Sequence, residues 1–104
     1  MSSVEKFITV TVSYYAKRLT TLKFKIMDKA TGKVFYEDNA VPLSLKTVSV
    51  KVPANTVVYL WTNAGAIEFH GIEPQNTHYE QEWANTIYVY TKDLDCTVNV
   101  YIPR

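Results

Sequence analysis

This chain has little of several things that would have announced a function. Its 104 residues include one cysteine, Cys96, so no intramolecular disulfide forms and no zinc-type cysteine cluster exists. That usage fits a reducing, cytoplasmic compartment, although a processed secreted or virion-associated chain would have the same composition. The N-terminus, M-S-S-V-E-K-F, has no apolar h-region or small-residue cleavage site, so no secretory signal is expected. No run approaches the roughly 18 apolar residues of a membrane-spanning helix, so no membrane span is expected. With three glycines, the turns must rely on Asn, Asp and Pro. Helical periodicity is missing too. The nearest approach, Gln75 to Ala84, lacks an apolar stripe. No G-x-S-x-G, P-loop, G-x-G-x-x-G, H-E-x-x-H or catalytic Cys/His pattern occurs, so the reading is non-enzymatic and no cofactor is expected.

What the chain does have is strand-forming material. Hydrophobic residues make up 47% and charged residues 20%, with eight Tyr, two Trp and four Phe beside abundant Val and Thr. That composition is globular and β-favouring. Residues Ile8 to Tyr14 alternate apolar with Thr and Ser. Leu22, Phe24 and Ile26 alternate with Thr21, Lys23 and Lys25, and D-K-A-T-G (28–32) turns this strand back into Lys33 to Glu37. Ala16 to Thr20 is a polar, basic loop, and the segment from Asp38 to Pro42 breaks the chain. Ala66 to His70, Ile87 to Tyr90 and the alternating Cys96, Val98, Val100 and Ile102 complete the strands. Gly71 to about Ala84 is the longest irregular segment, and loops of that length often carry function. The expectation is one domain over 1–104. It is an all-β, small antiparallel β-sandwich, immunoglobulin-like or jelly-roll, of about eight strands.

The stretch from Val48 to Trp61 looks central. V-S-V-K-V alternates, P-A-N-T supplies turn chemistry, and V-V-Y-L-W is apolar throughout. Read as a hairpin with a loop at Pro53 to Thr56, it pairs Val52 with Val57, Val50 with Tyr59 and Val48 with Trp61. Those six then face the core, and Val58 and Leu60 face outward. An outward apolar pair of this kind is expected to be covered by another copy of the chain, giving a homo-oligomer.

Charge is uneven along the chain. Residues 1–51 carry nine Lys/Arg against four acids, and residues 52–104 carry Lys92 and Arg104 against six acids, giving +5 and −4. Either strands from the two halves interleave and the asymmetry disappears in space, or a basic edge and an acidic edge survive to meet on neighbouring copies.

Three constellations bear on partners. Glu68-x-His70 and His78-x-Glu80 each place an imidazole beside a carboxylate on one strand face. If the two pairs converge they form a metal site, and if not they are exposed polar surface. Tyr79, Gln81, Trp83, Asn85 and Asn76 form an aromatic and amide set suited to a glycan, as in a small lectin, with Trp83 as a core plug for the alternative. Lys17, Arg18, Lys23, Lys25 and Lys29 lie near Tyr14 and Tyr15. A pI of 7.8 is too low for a nucleic-acid footprint, so that partner is not expected. Cys96 belongs on a core face as an inert thiol. The reading is an interaction module that binds protein and self-associates, with a glycan as the alternative partner.

Overall fold

A computed structural model describes residues 6–17, 22–40 and 44–103. Alternating burial organises it from the first strand onward. In β1 (Phe7–Ala16) the residues Ile8, Val10, Val12, Tyr14 and Ala16 are buried, while the Thr and Ser between them face outward. The chain continues through β2 (Leu22–Asp28), β3 (Val34–Ala40), β4 (Ser44–Pro53), β5 (Val57–Thr62), β6 (Glu68–Glu73), β7 (His78–Trp83), β8 (Thr86–Tyr90) and β9 (Cys96–Ile102). The described residues contain no helix. The strands form a four-stranded sheet of order β4-β1-β9-β6 and a five-stranded sheet of order β3-β2-β5-β8-β7. Every pairing is antiparallel except β1 with β9, which is parallel. Of the expected breaks, positions 18–20 and 41–42 lie outside the described residues, whereas Ala16 ends β1 and Asp38 to Ala40 continue β3 rather than breaking the chain.

The core lies between the sheets. Val10, Val12, Val98, Val100 and Ile102 of the smaller sheet meet Phe24, Ile26, Val58, Leu60, Ile87 and Val89 of the larger one, all at 1% exposure or less. Tyr14 joins the sheets most directly. Its ring stacks on Phe24 at 4.1 Å and its hydroxyl donates to Asp38 at 2.8 Å. Cys96 is buried on the core face, as its alternation with Val98 and Val100 requires. The β2–β3 hairpin forms as expected, with a bulge at Ile26/Met27. Gly32 takes the positive φ of 76° that the tight turn needs.

The central hairpin does not form. β4 pairs with β1, setting Val52 opposite Ile8, Val50 opposite Val10 and Val48 opposite Val12. β5 lies in the other sheet between β2 and β8. The link between them is an arch from sheet to sheet, tied by Ala54 N–H to the Lys6 carbonyl and Asn55 N–H to the Lys92 carbonyl, both at 2.9 Å. This reverses the faces of β5. Val58 and Leu60 have 0% exposure and belong to the core, so they cannot be an interface. Val57, Tyr59 and Trp61 point outward. Because V-V-Y-L-W is apolar on both faces, alternation could not choose between them, and the hairpin assumption chose wrongly.

The stretch expected to be irregular, 71–84, instead holds the end of β6, a turn closed by Thr77 N–H to the Pro74 carbonyl, and all of β7. β7 is an edge strand exposed at every residue, so it shows no apolar alternation to read.

The topology also settles what becomes of the charge asymmetry. In both sheets the strands of the first half lie together, β4-β1 in one and β3-β2 in the other. Those of the second half, β9-β6 and β5-β8-β7, fill the opposite side. The halves do not interleave. Lysines 23, 25, 29, 33, 46 and 51 flank one side of the sandwich, and Glu68, Glu73, Glu80 and Glu82 flank the other.

Candidate functional site

Because β5 turns its aromatic residues outward, it meets β8, whose inward residues are Ile87 and Val89 and whose outward ones are Thr86, Tyr88 and Tyr90. Register then assembles rows across the outer face of the five-stranded sheet. Lys25, Trp61, Thr86 and Trp83 form one; Met27, Tyr59, Tyr88 and Glu80 form the next; Val57, Tyr90 and His78 form the third. Tyr59 and Tyr88 meet edge to face at 5.5 Å, and the His78 ring lies 4.9 Å from Tyr90. Thr86 has 1% exposure although it faces outward, flanked in register by Trp61 and Trp83. Trp83, at the strand end, is 66% exposed.

Charge brackets these rings. On the β2 side, the Lys25 ammonium sits 5.4 Å from the Trp61 ring and that of Lys29 sits 4.4 Å from the Tyr88 ring, both cation–π contacts. On the β7 side, Glu80 accepts a short hydrogen bond from the Tyr90 hydroxyl and lies 3.8 Å from His78 Nε2. That bond, with burial and the nearby carboxylates, raises the Tyr90 pKa. Burial foremost, then the charge of Glu82 and Tyr59, raises that of Tyr88. Both phenols therefore remain protonated donors at neutral pH. Half-buried tyrosines and an exposed indole present apolar area with polar tips at small entropic cost, which suits non-covalent recognition.

The residues singled out from sequence are dispersed. Glu68 bonds His70 at 2.7 Å, and His70 stacks on Tyr101 at 3.6 Å, on the outer face of the four-stranded sheet. His78 and Glu80 lie on the outer face of the five-stranded sheet. The turn after β6 carries the chain from one sheet to the other, so the two pairs point away from each other. Among the described residues no three His, Cys, Asp or Glu gather into a metal site. The expected convergence is thereby corrected.

The glycan set is dismantled in a similar way. Tyr79 stacks on Phe69 at 3.8 Å and closes the edge between β6 and β7. The Gln81 amide donates to the carbonyls of Ile67 and Ala84, and the Asn85 amide donates to that of Thr62. Asn76 lines a separate cavity of about 70 Å³ with Pro74, Thr77 and Cys96. Trp83 alone joins the aromatic face, and it is not a core plug. The basic cluster is split as well. Tyr14 is buried, Lys17 sits over Tyr101 on the opposite face at 4.5 Å, and Arg18 lies outside the described residues.

Trp61, Tyr59, Tyr88 and Tyr90 were not legible as a site. The one signal for them was the spacing of aromatics two apart in both 57–61 and 86–90, which places each pair on one face of its strand.

The fold defines an all-β sandwich module, and among the described residues no helix is long and apolar enough to cross a membrane. No family model matches the chain, and no curated protein matches it. A bacterial adhesin from Mobiluncus mulieris, which contains intramolecular disulfide, isopeptide and ester bond cross-links, is similar in structure, with a TM-score of 0.63 and 11% identity. The similarity covers 95% of this chain and 42% of that one. At that identity the likeness is one of fold.

Proposed function

We propose that this protein is a non-enzymatic interaction module whose docking surface is the outer face of the five-stranded sheet, and that its partner is a protein surface. The observation that carries this is the cluster of Trp61, Tyr59, Tyr88 and Tyr90 on adjacent strands, with the exposed Trp83 at the end of the row that holds Trp61 and Thr86. Tyr and Trp are what protein interfaces concentrate at their centres, with polar and charged groups kept to the rim. A glycan site needs free amides and carboxylates around the ring, and here Gln81 and Asn85 are bonded to backbone carbonyls. The adhesin likeness is compatible with a binding role, but among the described residues two of its kinds of cross-link, the disulfide and the isopeptide, find no counterpart. One cysteine makes no intramolecular disulfide. Among the described residues the closest amine–carboxyl pair, Lys46 and Asp38, is held as ammonium and carboxylate, because each side chain's hydrogen bond to the other raises the Lys46 pKa and lowers that of Asp38. Those are not the forms that condense to an amide.

The test places the photo-reactive residue p-benzoylphenylalanine at Tyr59, or at exposed Ser49 on the opposite face, in the cells that make the protein. Illumination is expected to give covalent protein adducts from position 59 and not from position 49. No adduct from position 59, or equal adducts from both, overturns the reading.

A further inference from the structure

We infer that the occupant of this face is a second copy of the chain, packed face to face about a two-fold axis that runs along the strands. The inference rests on the reading of the aromatic face as the binding surface and goes on to name its partner and geometry.

Charge on this face is sorted by strand. Lys23 and Lys25 of β2, with Lys29 just beyond it, form a basic flank. Glu37, opposite Lys25 on β3, offsets only part of it. Glu80 and Glu82 of β7 form the acidic flank on the far side of the rings. The whole sandwich repeats this division, since its first-half strands occupy one side and its second-half strands the other. The face is therefore bipolar, with an aromatic middle.

Two copies meeting on this face by a two-fold must have the axis in the plane between them. An axis across the strands would lay β2 on β2 and β7 on β7, opposing lysine with lysine and glutamate with glutamate. An axis along the strands lays β5 on β5, β2 over β8 and β3 over β7. Lys25 and Lys29 of each copy then lie over β8 of the other, one strand spacing of about 4.8 Å in from Glu80 and Glu82 and within a lysine side chain's reach of them, while Glu37 of β3 lies over β7 and Tyr59, Trp61 and Tyr88 are buried between the copies. Sheets commonly pack aligned in this way, within about 30° and about 10 Å apart. Each residue pairing occurs twice, as a closed isologous contact requires, so the product is a dimer and not a filament.

The size of the patch sets the strength. Five strands of about six residues present roughly 20 by 20 Å, so the contact falls toward the small end of specific interfaces, which bury about 800 Å² per partner in the standard case. The dimer is accordingly weak, concentration-dependent and weakened by salt, because its flanks are solvent-exposed charges.

Sedimentation equilibrium at about 100 μM in low salt is expected to give twice the 11.9 kDa chain mass and to move toward the single-chain mass in high salt. Lys25→Glu with Lys29→Glu, and separately Glu80→Lys with Glu82→Lys, should each weaken association at least about tenfold, since like charges now face each other across the two-fold. An equimolar mixture of the two variants should recover the dimer mass, because each copy's altered flank meets the complementary one. Circular dichroism checks that both variants keep the fold. A wild type that stays at 11.9 kDa, a dimer indifferent to the reversals, or a mixture that fails to recover overturns the inference. If the chain is monomeric and position 59 nevertheless cross-links to a different protein, the face remains the docking surface and only the pairing is lost. If position 59 cross-links to nothing, both are lost.

Discussion

At the scale of single residues, the arrangement with the largest consequence for stability is the polar knot at the β3/β4 edge. Tyr14 is fully buried, yet its hydroxyl reaches Asp38 at 2.8 Å and Tyr36 at 3.1 Å, and Asp38 in turn holds Lys46. Burial, followed by those hydrogen bonds, drives the Tyr14 pKa far up, so the phenol is a permanent donor. The bond from Lys46 holds the Asp38 carboxyl below its ordinary value of 3.8, with Tyr14 helping and partial burial opposing. A carboxyl whose pKa falls on folding stabilises the protein above the unfolded-state value and loses that contribution as pH falls through the folded-state value. Asp38→Ala should therefore cost on the order of 1–3 kcal/mol at neutral pH, since it also leaves the buried Tyr14 hydroxyl short of a partner. The gap between wild type and variant should narrow in acid below the ordinary aspartate value of 3.8. Urea midpoints at about pH 7 and about pH 3 measure it, and a gap of constant size would mean that the charge on Asp38 contributes nothing.

At the scale of the element, β5 separates what the sequence made legible from what it did not. β1, β2 and β9 alternate apolar with polar residues, so their inward faces could be read directly and Cys96 could be placed in the core. β5 carries apolar side chains on both faces, and its orientation depends on which sheet it joins, a long-range fact absent from local pattern. β7 is exposed throughout and carries its two aromatics, Tyr79 and Trp83, on opposite faces, so it left no periodic trace. The candidate site inherits both gaps. Trp83 stood out as an aromatic in a polar stretch, whereas Trp61 and Tyr59 become a surface only once β5 has crossed to the other sheet. The assignment can be tested with one substitution on each face. Leu60→Lys should destabilise the fold by roughly 3 kcal/mol or more, because it buries a charge with no partner. Tyr59→Lys, one residue away, should stay within about 1 kcal/mol of wild type, as surface changes generally do. Chemical denaturation of both variants decides the matter, and the reverse order of effects would restore the hairpin register with Leu60 outside.

At the scale of the whole molecule, neither sheet has a core of its own. Among the described residues the inward residues of β1 and β9 are covered mainly by those of β2, β5 and β8, and the reverse is also true. The link between β4 and β5 crosses from sheet to sheet, as does the turn between β6 and β7, so chain connectivity ties the layers together. Separating the sheets would expose both apolar faces at once, at about 25 cal/mol per Å² of apolar surface. The two layers should therefore unfold as one unit. The chain supplies a reporter for each. Trp61 and Trp83 both lie in the five-stranded sheet, so their fluorescence follows that layer. Cys96 lies in the four-stranded sheet, 4% exposed, with burial pushing its thiol pKa up to about 11, so it alkylates slowly until that layer opens. Fluorescence and thiol-labelling transitions, followed through the same denaturant series, are expected to share one midpoint. The comparison should use Tyr59→Lys, in which the aromatic face is no longer suited to pairing, so that dissociation does not contribute to the signal. Labelling of Cys96 well before the fluorescence changes would show that β9 can leave the sandwich while the five-stranded sheet stays folded, and the two layers would then be separate cooperative units.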